Sequence, residues 1–125
     1  MPTRISIEWP RGVALATLAD TPTARALVAC LPCSGVAATW GDEAYFEVPV
    51  SAPLEPDARQ VVAPGEVCFW VEGRSLALPF GPTPISRSGE PRLVTRCNVL
   101  GRIEGDPRVL AGVRAGDRIS VSLVE

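Results

Sequence analysis

Trp40-Gly41-Asp42-Glu43-Ala44-Tyr45-Phe46-Glu47-Val48-Pro49-Val50 changes character at its fourth residue. From there Ala44, Phe46, Val48 and Val50 alternate with Tyr45 and Glu47, so one face is apolar and the other presents a phenol and a carboxylate. A period of two over this length is the signature of a half-buried strand. Segments on either side have the same grain. Ile5, Ile7 and Trp9 alternate with Arg4, Ser6 and Glu8, and Pro10-Arg11-Gly12 then leads into a second apolar stretch, Val13 to Ala19, as in a hairpin. Val67 to Val71, a tight Glu72-Gly73 connection, and Leu76, Leu78 and Phe80 predict a further hairpin. Leu93 to Ile103 is a long apolar segment, and Ile119, Val121 and Leu123 alternate with serines in a last strand after the turn at Gly116-Asp117.

Helices are few and short. Thr21 can cap one that opens at Pro22, where a missing N–H costs nothing, with Ala24, Leu27, Val28 and Leu31 on one face and Pro32 as the stop. Asp106 can cap a second that opens at Pro107, with Val109, Leu110 and Val113 facing inward. The stretch after Pro32 reads as a small-residue loop, and Pro53, Pro56 and their charged neighbours as the longest polar loop. Thirteen prolines and eleven glycines punctuate the chain, as turns between many short strands require. About eight strands and two short helices favour a mainly β fold, a closed eight-stranded barrel, because closure leaves no strand edge exposed.

The chain has 125 residues, enough for a single domain spanning 1–125. Surface scaling leaves about two thirds of such a chain's surface buried, enough for a core without a metal or disulfide staple. Twelve basic and fourteen acidic side chains nearly cancel, and the net charge of -2 argues against a nucleic-acid or anionic-membrane surface. All the basic residues are arginine, and histidine is absent, which removes Schiff-base lysines, P-loop lysines and histidine general bases. Arginines at 92, 96, 102, 108, 114 and 118 are interleaved with Glu104, Asp106 and Asp117, a mixed-charge surface rather than an anion site. No apolar run reaches the roughly 20 residues of a membrane span. Met1 to Gly12, charged at Arg4, Glu8 and Arg11, lacks a secretory signal, so a cytoplasmic protein with reduced thiols is expected.

The same segments resemble cyclophilins. Asp20-Thr21-Pro22-Thr23-Ala24-Arg25-Ala26-Leu27 is similar to the start of the first cyclophilin helix. Leu100-Gly101-Arg102-Ile103-Glu104-Gly105-Asp106-Pro107-Arg108-Val109-Leu110 is similar to the late segment that leads into the second. Trp40-Gly41-Asp42-Glu43-Ala44-Tyr45-Phe46, Phe80-Gly81-Pro82-Thr83-Pro84 and Asn98-Val99-Leu100-Gly101 resemble a family of small prokaryotic cyclophilin-like proteins of unassigned function. The resemblance implies the eight-stranded cyclophilin-like barrel with two end-closing helices. It does not extend to the isomerase chemistry, which in cyclophilins uses an arginine to lower a resonance barrier of about 20 kcal/mol. Laying the family's Phe-His-Arg strand on Tyr45-Phe46-Glu47 puts a carboxylate where the guanidinium belongs. The Gly-Phe-Met-x-Gln-Gly segment has no counterpart, and the histidine expected before the late glycine falls at Cys97.

Candidate ligand-binding residues are therefore Trp40, Glu43, Tyr45, Glu47, Trp70, Phe80, Thr83 and Asn98, aromatic walls with a few oriented polar groups. Each also has a plainer reading: core packing for the aromatics, solvated strand carboxylates for the glutamates, and a loop-satisfying amide for Asn98. Gly81-Pro82-Thr83-Pro84 reads either as a rigid pocket lip or as a stiff turn. Cys30-Leu31-Pro32-Cys33 has redox or half-zinc spacing, but it lies at a predicted helix C-terminus, where the dipole disfavours a thiolate. With Cys68 and Cys97 isolated in strands, neither metal nor cofactor is expected. The leading expectation is a small molecule or short peptide bound in a barrel-side pocket, without prolyl isomerase activity. The second is a protein-interaction or assembly module meeting a partner or another copy, as in a homodimer. The third is an enzyme using Glu43 or Glu47 as an acid or base, which requires a carboxyl pKa near neutrality.

Overall fold

The structure, a computed structural model, describes residues 3–124. Met1 and Pro2, which open the stretch read as free of an export signal, and Glu125 lie outside the described residues. Among the described residues there are ten strands: β1 (Thr3–Trp9), β2 (Gly12–Leu18), β3 (Cys33–Val36), β4 (Ala38–Thr39), β5 (Glu43–Glu47), β6 (Arg59–Val61), β7 (Glu66–Trp70), β8 (Ser75–Pro79), β9 (Arg92–Ile103) and β10 (Arg118–Leu123). A helix, α1 (Pro22–Ala29), follows β2, and a 3-10 helix (Pro107–Gly112) precedes β10. No helix among the described residues is long and apolar enough to cross a membrane.

The strands form one antiparallel sheet in the order β3-β10-β1-β2-β9-β7-β8-β5-β4, with β6 added along β9. This corrects the expected closed eight-stranded barrel: the hydrogen-bonded ladder has two ends and ten strands. The break is at Ala37. Cys33–Val36 pairs with β10, Ala38–Thr39 turns to pair with β5, and the Ala37 N–H donates to the Asp117 carbonyl between them. One short segment thus supplies both ends of a strongly curled sheet. The gap between them is filled by packing: a Cβ added at Gly35 would lie 2.7 Å from the Glu47 carbonyl oxygen and against the Phe46 ring.

Alternation sorts the strand residues into two apolar clusters, one on each face of the sheet. The inner cluster holds Ile5, Ile7, Ala16, Ala44, Phe46, Val67, Phe69, Leu76, Leu78, Leu100, Ile119 and Val121, closed over by Leu27 of α1 and Leu110 of the 3-10 helix. On the outer face, Val62, Cys68, Ala77, Leu93 and Cys97 form a second cluster with Tyr45, Trp70 and Val99 packed against it. Strand β8 is buried along its whole length because it contributes to both. Its register with β5, Tyr45 opposite Ala77 and Phe46 opposite Leu76, keeps the two sets of side chains apart.

Helix α1 forms as its sequence implies. The Ala24 N–H donates to Thr21 Oγ1 at 3.1 Å, Pro22 occupies the first turn, and the Cys30 N–H closes on Leu27 and Val28. The Pro107 helix departs in one respect. Leu110 and Val113 are buried, but Val109 is 42% exposed. A 3-10 turn has three residues, so positions three apart share a face and the residue between them does not.

Candidate functional site

The outer cluster does not fill the space over the sheet. A cavity of about 170 Å³ remains, lined by Trp40, Glu43, Tyr45, Trp70, Ala77, Leu93, Val94 and Cys97. Its floor is β8 and β9, where Ala77 is small enough to leave room between Tyr45 on β5 and Cys68 on β7, both of which pair with it. Tyr45 and Trp70 meet edge to face, with ring centroids 6.4 Å apart at 82°, the orientation aromatic quadrupoles favour. Behind Trp70, Gly73 is obligatory: a Cβ there would come within 2.2 Å of the indole.

The third aromatic wall and the carboxylate come from the Trp40–Glu43 turn. Gly41 has φ +61, the left-handed region that favours glycine. A side chain there would also collide with Pro82, Thr83 and Pro84. The Asp42 N–H donates to the Pro82 carbonyl, the Phe80 N–H to the Asp42 carbonyl, and the Trp40 N–H to the Glu43 carbonyl, all at 2.8–2.9 Å. The Gly81-Pro82-Thr83-Pro84 segment is thus the brace on which this turn is built.

Glu43, the first residue of β5, is only 7% exposed. Its Oε1 atom is buried without any hydrogen-bond partner. Burial pushes its carboxyl pKa up to about 7, since an apolar wall penalises the charged form. The neighbouring thiols are neutral at physiological pH. Burial, followed by the charges of Glu43 and Glu72, pushes Cys97 up to about 12, and burial holds Cys68 well above its ordinary value. Among the described residues, no arginine lines the cavity.

Of the eight candidate residues, the structure brings Trp40, Glu43, Tyr45 and Trp70 to this cavity and places four elsewhere. Glu47 shares the face of Tyr45 but is exposed at the far end of β5. Phe80 packs half-buried against the inner cluster. The Thr83 hydroxyl donates to the Arg92 carbonyl, and its N–H donates to Ser86 Oγ at 2.8 Å, which fixes the segment leading into β9. Asn98 is fully buried; its Nδ2 donates to Thr23 Oγ1 at 2.9 Å and the Pro53 carbonyl at 3.0 Å, and its Oδ1 accepts the Glu55 N–H at 2.8 Å. It ties the long polar loop to the start of α1. Sequence reasoning missed Leu93, Val94, Ala77 and Cys97 as wall residues, because they belong to strands whose other neighbours form ordinary core.

The cysteine pair keeps its expected place, with Cys30 capping the C-terminal end of α1. Burial, with Cys30 beside it, pushes the Cys33 thiol up to about 11, the reverse of what a redox nucleophile needs.

Residues 1–122 match the cyclophilin-like family. The chain belongs to the cyclophilin-like family. Among solved structures it is similar to the hypothetical protein AF2241 from Archaeoglobus fulgidus, with 32% identity and a TM-score of 0.84, over 98% of this chain and 95% of that one. It also shares a fold with McbB, solved in complex with tryptophan. There the TM-score is 0.63 at 15% identity, over 94% of this cyclophilin-like chain and 44% of McbB. No curated protein matches the chain.

Proposed function

We propose that this cyclophilin-like protein binds a small organic molecule, or one side chain of a short peptide, in the outer-face cavity, and that it does not isomerise prolyl bonds. The observation that carries the reading is the unpartnered Glu43 Oε1 in an aromatic-walled hollow. Leaving a buried carboxyl oxygen unsatisfied costs about 1–3 kcal/mol or more, and a guest that donates to it recovers that cost. The volume sets the scale of the guest, since an apolar cavity of about 150 Å³ holds a benzene molecule. An extended peptide would not fit.

The argument against isomerase activity is also chemical. Tyr45 lies in the cavity wall, Glu47 is exposed at the far end of β5 and outside the lining, and among the described residues no guanidinium lines the cavity to attract the prolyl nitrogen. A proline-peptide exchange assay is expected to run at the uncatalysed rate, and catalysis clearly above it would overturn this part of the reading.

Binding is tested by a fragment screen read by thermal shift. At least one aromatic fragment should raise the melting temperature, and the shift should vanish in Tyr45→Ala, whose ring supports Trp70 and closes one side of the hollow. Silence across single-ring fragments of all charge types would remove the binding reading. One observation favours a second reading: a carboxyl near pKa 7 is matched to proton transfer at neutral pH, so Glu43 is equipped to act as acid or base on its guest. In that case Glu43→Gln retains the guest but loses turnover.

A further inference from the structure

The binding reading leaves the guest's charge open, and the cavity's own chemistry narrows it. We infer that the ligand is a small hydrophobic amine bound as its ammonium ion, with one N–H donated to Glu43 Oε1 and its carbon body held among Trp40, Tyr45 and Trp70. This inference rests on the binding reading and adds the substrate class.

Three observations point the same way. First, Oε1 is an acceptor without a donor, and ammonium is the donor that also answers the carboxylate's charge. Second, among the described residues no basic side chain lines the cavity to supply a countercharge. Arg92, at the start of β9, is held by Glu90 at 2.9 Å; Arg59, opposite Cys97 on β6, is held by Glu66 at 2.8 Å; Arg96, beside Cys97 in the chain, is exposed. Third, the remaining wall is three aromatic rings with Ala77, Leu93 and Val94. The faces of such rings attract cations, most strongly when water is excluded, and the aliphatic residues demand a hydrocarbon body. An anion would meet the carboxylate and no cation. A neutral guest would gain the apolar contacts but lose the charge pairing.

Benzylamine, benzyl alcohol and benzoate share a ring close to the cavity's size and differ in charge. Titrated at pH 7.5 into the full chain, with the Trp40 and Trp70 indole N–H resonances as reporters, benzylamine is expected to bind on the order of tenfold to a hundredfold more tightly than benzyl alcohol. Benzoate should bind least. In Glu43→Gln, which keeps the shape and removes the charge, the preference for benzylamine should disappear while benzyl alcohol retains its affinity. If benzyl alcohol equals or exceeds benzylamine in the native chain, the amine assignment is overturned and the cavity remains a binding site. If none of the three moves the indole resonances, the binding reading falls and the amine assignment with it. The native-chain comparison stands whether or not the variant folds.

Discussion

Glu43 is where the cost of the site is concentrated. Its carboxyl titrates near 7 in the folded chain against an ordinary 4.5, so the folded state holds the proton more tightly than the unfolded one. A raised carboxyl pKa of this kind contributes stability that is complete below about pH 4.5 and is lost as pH climbs through 7. The size is about 3 kcal/mol. Denaturant midpoints of the native chain should therefore fall between pH 4.5 and 8, while those of Glu43→Gln stay nearly level, so that the variant is the more stable at pH 8. Parallel profiles would show that Glu43 is not the group responsible. Glu90 and Glu104, both pulled down to about 2, by backbone N–H donors and by Arg4 respectively, act in the opposite sense and below this window. Sequence alone named Glu43 and Glu47 together, since both lie on the Tyr45 face. Which of them is buried depends on the Trp40 turn and on the β9 residues that line the same cavity, neither of which leaves a trace in the local pattern. Asn98 and Thr83 were conspicuous for the same reason that they are structural: each is a polar side chain in an apolar neighbourhood, and each finds its partners within the protein.

Strand β9 is the element on which both faces depend. Its twelve residues pair with β2, β6 and β7, and its register with β7 slips by one residue between Val67 and Cys68. An extra residue at that point changes which way the following side chains point, so Cys97 and Val99 face the outer cluster while Leu100 and Ile103 both join the inner one. Gly101 makes the crossing with β2 close enough. A Cβ there would lie 2.1 Å from the Thr17 carbonyl oxygen and 2.8 Å from the Leu18 Cα. Backbone atoms have little room to yield, so Gly101→Ala should lower stability by about 2–3 kcal/mol or more, measurable as a lower urea midpoint. An unchanged midpoint would mean that β2 and β9 can separate freely. The long apolar run of β9 was legible in sequence; its bulge was not. The strands that went unread, β3, β4 and β6, are short and built from Cys33-Ser34-Gly35-Val36, Ala38-Thr39 and Arg59-Gln60-Val61. They carry too few large side chains to set up an alternation, and only the long-range pairing with β10, β5 and β9 makes them strands.

For the molecule as a whole, the sequence announced a mainly β architecture with two short helices, and the long alternating segments carried that reading. Closure was the part it did not determine. Whether a curled sheet joins edge to edge depends on one residue's hydrogen bonds, and Ala37 spends its N–H on Asp117 and leaves the seam to packing between Gly35 and Phe46. A pocket was expected from the aromatic and polar residues, but how this hollow is built was out of reach, because it follows from Ala77 lying between larger side chains brought together from strands far apart in the chain.

Strand β8 interleaves two inventories: Leu76 and Leu78 point one way, Ala77 the other. Odd and even positions therefore answer to different demands, one set to the inner core and the other to the wall of the outer hollow. On the proposed binding reading, substitutions at the outward positions retune what the hollow admits while the inward ones go on specifying the same scaffold.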